Sequence, residues 1–266
     1  MDRPLALRLL PRRLQPFVFH RFFRARAGER GDLFTDASLA FAPGIRMRLR
    51  PGDVAHGEIA FLGFTELELT RIVAARARAG GGLFVDVGAN WGYFTLLWLA
   101  ARADNRAVAV EASPRNLEAL KGNLARNGCA GRVQVLASAA GREAGRLPFD
   151  LGPEDQTGWG GFAAAAGTAT HDVDVVRLDR ALAGEAVAFL KIDVEGADAL
   201  VLEGAEGLLG ERGVRFAAFE RNLPRLAALG LAPDAAAAVL RRAGYRVWCD
   251  GRADAEITTW YAEPGA

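Results

Sequence analysis

Apolar positions along the chain first alternate, then take a helical period, then fall into short buried runs. In "IRMRLRPGDV", Ile45, Met47 and Leu49 alternate with arginines and run into Pro51-Gly52, which predicts a strand and a hairpin turn. In "TELELTRIVAARARA", Leu67, Leu69, Ile72 and Val73 follow helical spacing. Thr65 is the expected cap there, with Glu66 and Glu68 in the positive first turn. From Gly82 the pattern becomes strand, helix, strand, helix. "LFVDV" is a buried strand, "WGYFTLLWLAARA" a helix and "RAVAVEA" a strand. "SPRNLEALKGNLARNG" is a helix with Ser113 as cap, Pro114 first and Gly128 as stop, and "RVQVLASA" is a third strand. Further strands are expected at "AVAFLKID", "VRFAAFE", "YRVWCD" and "EITTWYA". Such alternation predicts an α/β fold, a doubly wound parallel sheet with right-handed crossovers. Residues 141–170, rich in Gly and Ala, show no period and are expected to be an irregular lid or mobile insertion. No linker divides the chain. Residues 1–80 are expected to form a helical and hairpin extension packed on a core domain of residues 81–266.

Composition narrows the classes. Apolar residues make up 51% of the 266, enough for a full core, and the formal charge of +1 argues against a general nucleic-acid binder. Cys129 and Cys249 have no short spacing and give neither a zinc knot nor a disulfide framework, so a reducing cytoplasm is the expected location. No apolar run approaches the roughly 20 residues that span a bilayer. The basic, partly apolar N-terminus is interrupted by Pro11, Arg12 and Arg13 where a signal peptide needs its apolar centre. Its Leu9, Leu14, Phe17, Phe19 and Phe22 make either a peripheral membrane contact or a helix packed on the domain. Oligomeric state leaves no readable mark.

The stretch "LFVDVGANWGYF" breaks an apolar run with DVGAN and resumes it at once. Ligands of open parallel sheets bind beyond the carboxyl ends of the strands, where strand order reverses. Gly88 and Gly92 would let a ligand approach the backbone closely, but their G-x-x-x-G spacing is not the dinucleotide fingerprint G-x-G-x-x-G. Asp86, just before the turn, suits an ammonium group better than a pyrophosphate. Glu111 ends the next strand, where an acid accepts hydrogen bonds from ribose hydroxyls. Together these positions describe S-adenosylmethionine. Taken singly, Asp86 reads equally as a helix-end acid and Glu111 as a solvated strand end.

"FVDVGANWGYFTL", "AVEASPRNLEALKGNLARN", "RLDRAL", "LKIDVEGAD" and "FAAFERN" resemble the FkbM-type methyltransferases, from about Gly52 to Asn222. The leader stretch "PGDVAHGEIAFLGFTE", with Glu66 before the helix, also looks like that family. The resemblance implies a Rossmann-like sheet of the class I methyltransferase type, with seven strands and the last antiparallel. It implies S-adenosylmethionine as cofactor and hydroxyl groups of sugars, glycans or natural products as acceptors. By position it maps Asp86, Gly88, Asn90, Gly92 and Glu111 onto cofactor contacts, and Ser138 onto an adenine-edge contact that reads equally as a turn serine. Trp91 departs from the family's smaller residue, and "DQTGWGGFAAAAGTAT" matches no family motif.

Methyl transfer needs alignment and a late proton acceptor. Asp193, at the tip of the fourth strand, is the candidate base or orienter, with Glu220 beside it and Glu195 toward the acceptor. An aspartate near its ordinary pKa of about 3.9 is a weak base at neutral pH. Burial beside Phe189 and Ile192 or a divalent cation would have to assist, and Asp193, Glu220 and Asn222 could supply oxygen ligands. Lys191 reads more as a salt-bridge cation than as a catalyst, and His56 and His171 as satisfied or solvated side chains rather than bases. Trp159, between glycines, reads as a stacking wall for a sugar or as a cover for the domain. Phe64, Trp159 and the Gly/Ala loop are expected to frame the acceptor, a small molecule or glycan. "DVEG" stands where base N-methyltransferases carry an Asn- or Asp-Pro-Pro-aromatic signature, which argues against a nucleic-acid acceptor. A non-catalytic cofactor-binding scaffold is the alternative from another class.

Overall fold

The computed structural model describes residues 5–24, 35–162, 171–210, 213–249, 251 and 253–265. Two short helices, α1 (Leu5–Leu9) and α2 (Gln15–Phe22), precede a hairpin of β1 (Asp36–Leu39) and β2 (Ala42–Arg48). Next come α3 (Val54–Leu62) and α4 (Leu67–Ala79). The expected alternation continues in β3 (Leu83–Val87), α5 (Tyr93–Ala101), β4 (Arg106–Val110), α6 (Pro114–Arg126) and β5 (Val133–Leu136). Four strands then interrupt it: β6 (Ala139–Ala140), β7 (Gly145–Asp150), β8 (Gly161–Phe162) and β9 (His171–Val176). Helix α7 (Leu178–Ala181) leads back to β10 (Val187–Ile192), α8 (Asp198–Glu203), α9 (Glu206–Gly210) and β11 (Ala217–Asn222). The remaining elements are α10 (Leu223–Ala228), α11 (Ala235–Arg242), β12 (Tyr245–Cys249) and β13 (Ile257–Pro264).

The main sheet has seven strands in the order β12-β13-β11-β10-β3-β4-β5, and only β13 runs antiparallel to its neighbours. Strand order reverses between β3 and β10, so the crevice of this sheet opens beyond their carboxyl ends. Side chains alternate across β3: Leu83, Val85 and Val87 enter one core, and Phe84 enters the other. Phe84 stacks on Trp98 at 5.1 Å and meets Phe189 edge-on at 5.5 Å. Leader residues Leu39, Met47, Phe61 and Leu62 belong to that same core. Asn123 of α6 and Asn127 just past its end fasten the leader by exchanging hydrogen bonds with the backbone of Arg48 and Arg46 at 2.7–3.2 Å.

Several expectations are corrected. The hairpin turn lies at Ala40–Phe41, ahead of β2, and Pro51-Gly52 instead leads into α3. Asp53 decides this by accepting the His56 backbone N–H at 3.0 Å, a helix cap. Thr65 does not cap α4. Glu66 takes that position in a left-handed conformation, φ 43°, while the Thr65 hydroxyl donates to Glu58 at 2.7 Å. Ser113 holds the cap position of α6 without a side-chain cap bond. Residues 141–162 are not irregular throughout: with β6 and β9 they build a four-stranded sheet ordered β6-β9-β7-β8 around Phe149, Val173 and Val175. Residues 163–170, the remainder of that expected loop, lie outside the described residues. Phe19 faces inward, 2% exposed, unlike the four other apolar residues expected beside it at a membrane. Among the described residues, no helix is long and apolar enough to cross a membrane.

Candidate active site

A cleft of about 310 Å³ opens beyond the carboxyl ends of β3, β4, β10 and β11. Gly88, Asn90, Glu111 and Ser138 line one end, and Asp193, Glu195, Glu220 and Trp159 line the rest of the cleft. Asp86, Gly92 and Asn222 stand behind the wall.

At the β3–β4 end, Glu111 is 6% exposed and heavily bonded. Its carboxylate accepts from the backbone N–H of Asn90 at 2.7 Å and of Ser113 at 2.8 Å, and from the Asn116 amide at 3.4 Å. Burial raises its pKa while those donors pull it back down. Asn90 delivers its N–H from a left-handed conformation, φ 49°, that asparagine tolerates better than most residues. Its Oδ1 and the Ser138 Oγ are buried without a hydrogen-bond partner.

The glycines serve packing at this turn. At Gly88, φ 77°, a Cβ would lie 2.0 Å from the Asp193 carbonyl oxygen, so the tip of β10 itself occupies the space. At Gly92, φ 90°, it would lie 2.8 Å from Leu120. Asp86 departs from expectation too. It is 1% exposed, accepts from the Thr95 hydroxyl at 2.7 Å, and lies 3.7 Å from Lys191, its register partner on β10. Lys191, rather than Asp86, reaches the cleft wall there.

Carboxylates crowd the β10–β11 end. Lys191 donates to Asp193 at 3.1 Å and lies 5.2 Å from the Phe94 ring centre. Burial alone would lower its pKa, but Asp193, Asp86 and Glu66 together raise it. The buried Asn222 amide donates to both Glu195 and Glu220 at 3.3 Å, and its oxygen accepts the Arg225 backbone N–H. Burial first and the Asp193 charge second push Glu195 to about 7 and Glu220 to about 9. Glu66 lies within the mouth, open to water yet walled by protein. Desolvation and Asp193 raise it likewise to about 7. Asp198, beneath Glu220, accepts its backbone N–H at 3.1 Å and is raised well above the ordinary range by burial.

The leader supplies wall residues that the sequence left unread. Asp53 accepts both the backbone N–H and the hydroxyl of Thr157, at 2.7 and 2.8 Å, tying the second sheet's connection to α3. The D-x-x-H capping spacing before α3 was the available signal. His56 is no hairpin residue. It lines the cleft 2% exposed, its Nδ1 accepts from Arg50 N–H at 2.9 Å, and burial lowers its pKa to about 4. Its ring packs on Trp91 at 4.6 Å, and Trp91 donates to Asn116 at 3.2 Å. Trp159, 51% exposed, stands at the rim, where Arg225 donates to its carbonyl at 3.2 Å. Phe64, expected at the acceptor, is fully buried against Phe41 at 5.9 Å. Asn222 offers Asp193 and Glu220 no oxygen, since its amide nitrogen faces Glu220. Among the described residues, no group of three His, Cys, Asp or Glu side chains is arranged to hold a metal ion.

A seven-stranded sheet with one antiparallel strand and an acid at the second strand's tip defines a nucleoside-binding methyltransferase fold. The chain belongs to the FkbM methyltransferase family: the model of the methyltransferase FkbM domain matches residues 86–247. It is a methyltransferase dependent on S-adenosylmethionine. Similar solved structures include cofactor-bound Rv0187 from MTB, 16% identical, covering 98% of each chain with a TM-score of 0.45. Another is the O-methyltransferase TomG from Streptomyces achromogenes, 14% identical over 92% of this chain and 100% of that one, TM-score 0.45. A precorrin-6y C5,15-methyltransferase from Geobacter metallireducens is 13% identical over 75% and 90%, TM-score 0.44. No curated protein matches the sequence significantly.

The donor set fits the cofactor. Glu111 uses three acceptor positions within the protein, and a carboxylate has about four. Ser138 Oγ and Asn90 Oδ1, both on residues lining the same end, lack protein partners.

Proposed function

We propose that the chain methylates a hydroxyl group of a sugar, glycan or hydroxylated metabolite. In this reading the β3–β4 end holds the cofactor and the β10–β11 end holds the acceptor. Glu111 offers its remaining lone pair to a ribose hydroxyl, Ser138 its hydroxyl to the adenine edge, and Asn90 its unpaired oxygen to a cofactor N–H or O–H. The cofactor, when bound, supplies a methyl group on a positively charged sulfur, reactive toward an oxygen nucleophile. The chain's contribution is alignment, which is worth about 7–11 kcal/mol, and proton removal. Asp193, held by Lys191, accepts a hydrogen bond from a neighbouring hydroxyl of the acceptor and so orients it. Glu195, pushed to about 7, is half ionised near neutral pH; it accepts the hydrogen bond of the reacting hydroxyl and takes its proton. Glu220, pushed to about 9, stays protonated and donates to a second acceptor oxygen. Trp159 presents a ring face at the rim.

The carrying observation is the crowding of Asp193, Glu195 and Glu220 on one wall, where burial and the neighbouring Asp193 charge push Glu195 to about 7 and Glu220 to about 9. A polyanionic nucleic acid would meet like charge there, whereas a neutral polyol would find acceptors for its hydroxyls. Labelled S-adenosylmethionine should be turned over with a panel of glycans and hydroxylated metabolites, releasing S-adenosylhomocysteine only when an acceptor is present. Turnover confined to amines or RNA overturns the oxygen assignment. Cofactor binding without turnover on any acceptor favours the scaffold.

A further inference from the structure

Of the nine large apolar side chains that the described residues expose, five lie between residues 5 and 22. Leu9 is 76% exposed and Phe17 69%. A helix packed on a core needs one apolar stripe, and here that stripe is already filled. Leu7 and Phe19 are buried, and Phe19 and Phe23 pack on Phe61 of α3 at 5.4 and 5.6 Å. The outer face is therefore apolar without serving the fold. Its charge is one-sided as well. Residues 5–24 carry five arginines and no Asp or Glu, although the whole chain balances 33 Lys+Arg against 32 Asp+Glu. Arg12 lies over the Phe41 ring at 4.2 Å and donates to the Ala40 carbonyl at 2.9 Å, and Arg8, Arg12, Arg13 and Arg21 are all exposed.

We infer that the outer face of α1 and α2 docks on an anionic lipid surface. Leucine and phenylalanine tips enter the boundary between headgroups and acyl chains, and the arginines meet lipid phosphates. Charge complementarity favours this occupant over a second copy of the chain, because two such faces would bring arginine against arginine. The dock adjoins the active site through one layer: α2 packs on α3, whose Ala55, His56 and Ile59 line the cleft. Acceptors carried on or near a membrane would thus meet the enzyme already concentrated there.

The test uses the full chain and vesicles of phosphatidylcholine alone or mixed with phosphatidylglycerol. The protein should co-sediment with the mixed vesicles only, and added salt should weaken the partition. Phe17→Ser with Phe22→Ser should lower it about tenfold or more. Thermal melting and S-adenosylmethionine affinity should stay unchanged, since both rings are outside the core. Arg8→Glu with Arg13→Glu should abolish the preference for phosphatidylglycerol. Equal binding of the serine variant, or no binding to anionic vesicles, overturns the inference. A wild-type dimer in sedimentation equilibrium that the serine variant converts to monomer also overturns it, by assigning the face to a second copy.

Discussion

The two ends of the cleft are built from the same functional group under opposite conditions. At the β3–β4 end donors are more plentiful: Glu111 receives two backbone N–H groups and an amide, and Asp86 receives the Thr95 hydroxyl on one oxygen while Lys191 stands 3.7 Å from the other. At the β10–β11 end Asp193, Glu195 and Glu220 draw on Lys191, the Asn222 amide and Arg225. Donors pull a buried carboxylate's proton affinity back down, whereas scarce donors and mutual repulsion leave it raised. One end is therefore suited to holding a ligand's hydroxyls and the other to exchanging a proton near neutral pH.

Lys191 joins the two ends, so its loss should have the largest effect. Lys191→Met leaves Asp86 buried with Thr95 as its remaining close partner, and unfolding by denaturant should show a loss of about 3–5 kcal/mol. Unchanged stability would mean that Asp86 carries a proton and that the first end is not fixed in charge. At the other end, Glu195→Gln should cut kcat by about 10²–10⁴, the range for a lost general base. The wild-type kcat should climb with pH through about 7, where Glu195 gives up its proton, and the variant should lack that limb. A preserved limb would move the base to another carboxylate, with Glu66 the next to replace.

How much of this could be read beforehand depended on whether each cause was local. The strands of the main sheet were legible, above all β3, β4 and β10, because strands buried on both faces read as apolar runs. Glu111 and Asp193 were legible because strand tips face the crevice of such a sheet. Gly88 was found at the right place with the wrong neighbour, since nothing in DVGAN announces that the Asp193 carbonyl lies where its side chain would be. Asp86 was misread for the same reason: its partner Lys191 is adjacent only through strand register. The ion pairing expected of Lys191 is present, but its place between two carboxylates and in the cleft wall was not visible. Pro51-Gly52 imitated a hairpin turn because Asp53 acts as a cap only once the helix after it has formed. The alternating "HDVDVV" of β9 went unread because its partner strands sit among glycines and alanines.

Smaller effects sharpen the contrast. Glu111→Ala should weaken cofactor binding by about 1.5–3 kcal/mol in calorimetry. It should also lower the melting temperature, because the N–H groups of Asn90 and Ser113 lose their acceptor. Melting loss with unchanged affinity would leave Glu111 a structural residue and remove the ribose contact. Glu220 tests the proton-rich end through pH. Its pKa rises on folding from 4.5 to about 9, so its contribution to stability is complete below pH 4.5 and is lost as pH climbs through about 9. Stability should decline across that window by no more than about 1.4 kcal/mol per pH unit for this group, and Glu220→Gln should flatten the decline. An unchanged slope would show that the crowding does not hold a proton on Glu220.

The smallest change asks whether the second sheet belongs to the acceptor end or merely stands beside it. Thr157→Val removes the hydroxyl that Asp53 accepts at 2.8 Å, while the backbone bond to the same oxygen at 2.7 Å survives. One lost hydrogen bond of this kind costs about 1 kcal/mol. Melting should therefore shift only slightly. Asn90 also loses a long contact, its amide lying 3.4 Å from that hydroxyl. Because Trp159 comes soon after in the same connection, loosening it should raise the acceptor KM several-fold while cofactor affinity changes little. If cofactor affinity falls instead and the acceptor KM stays put, Thr157 works through Asn90, and the connection belongs to the donor-rich end of the cleft.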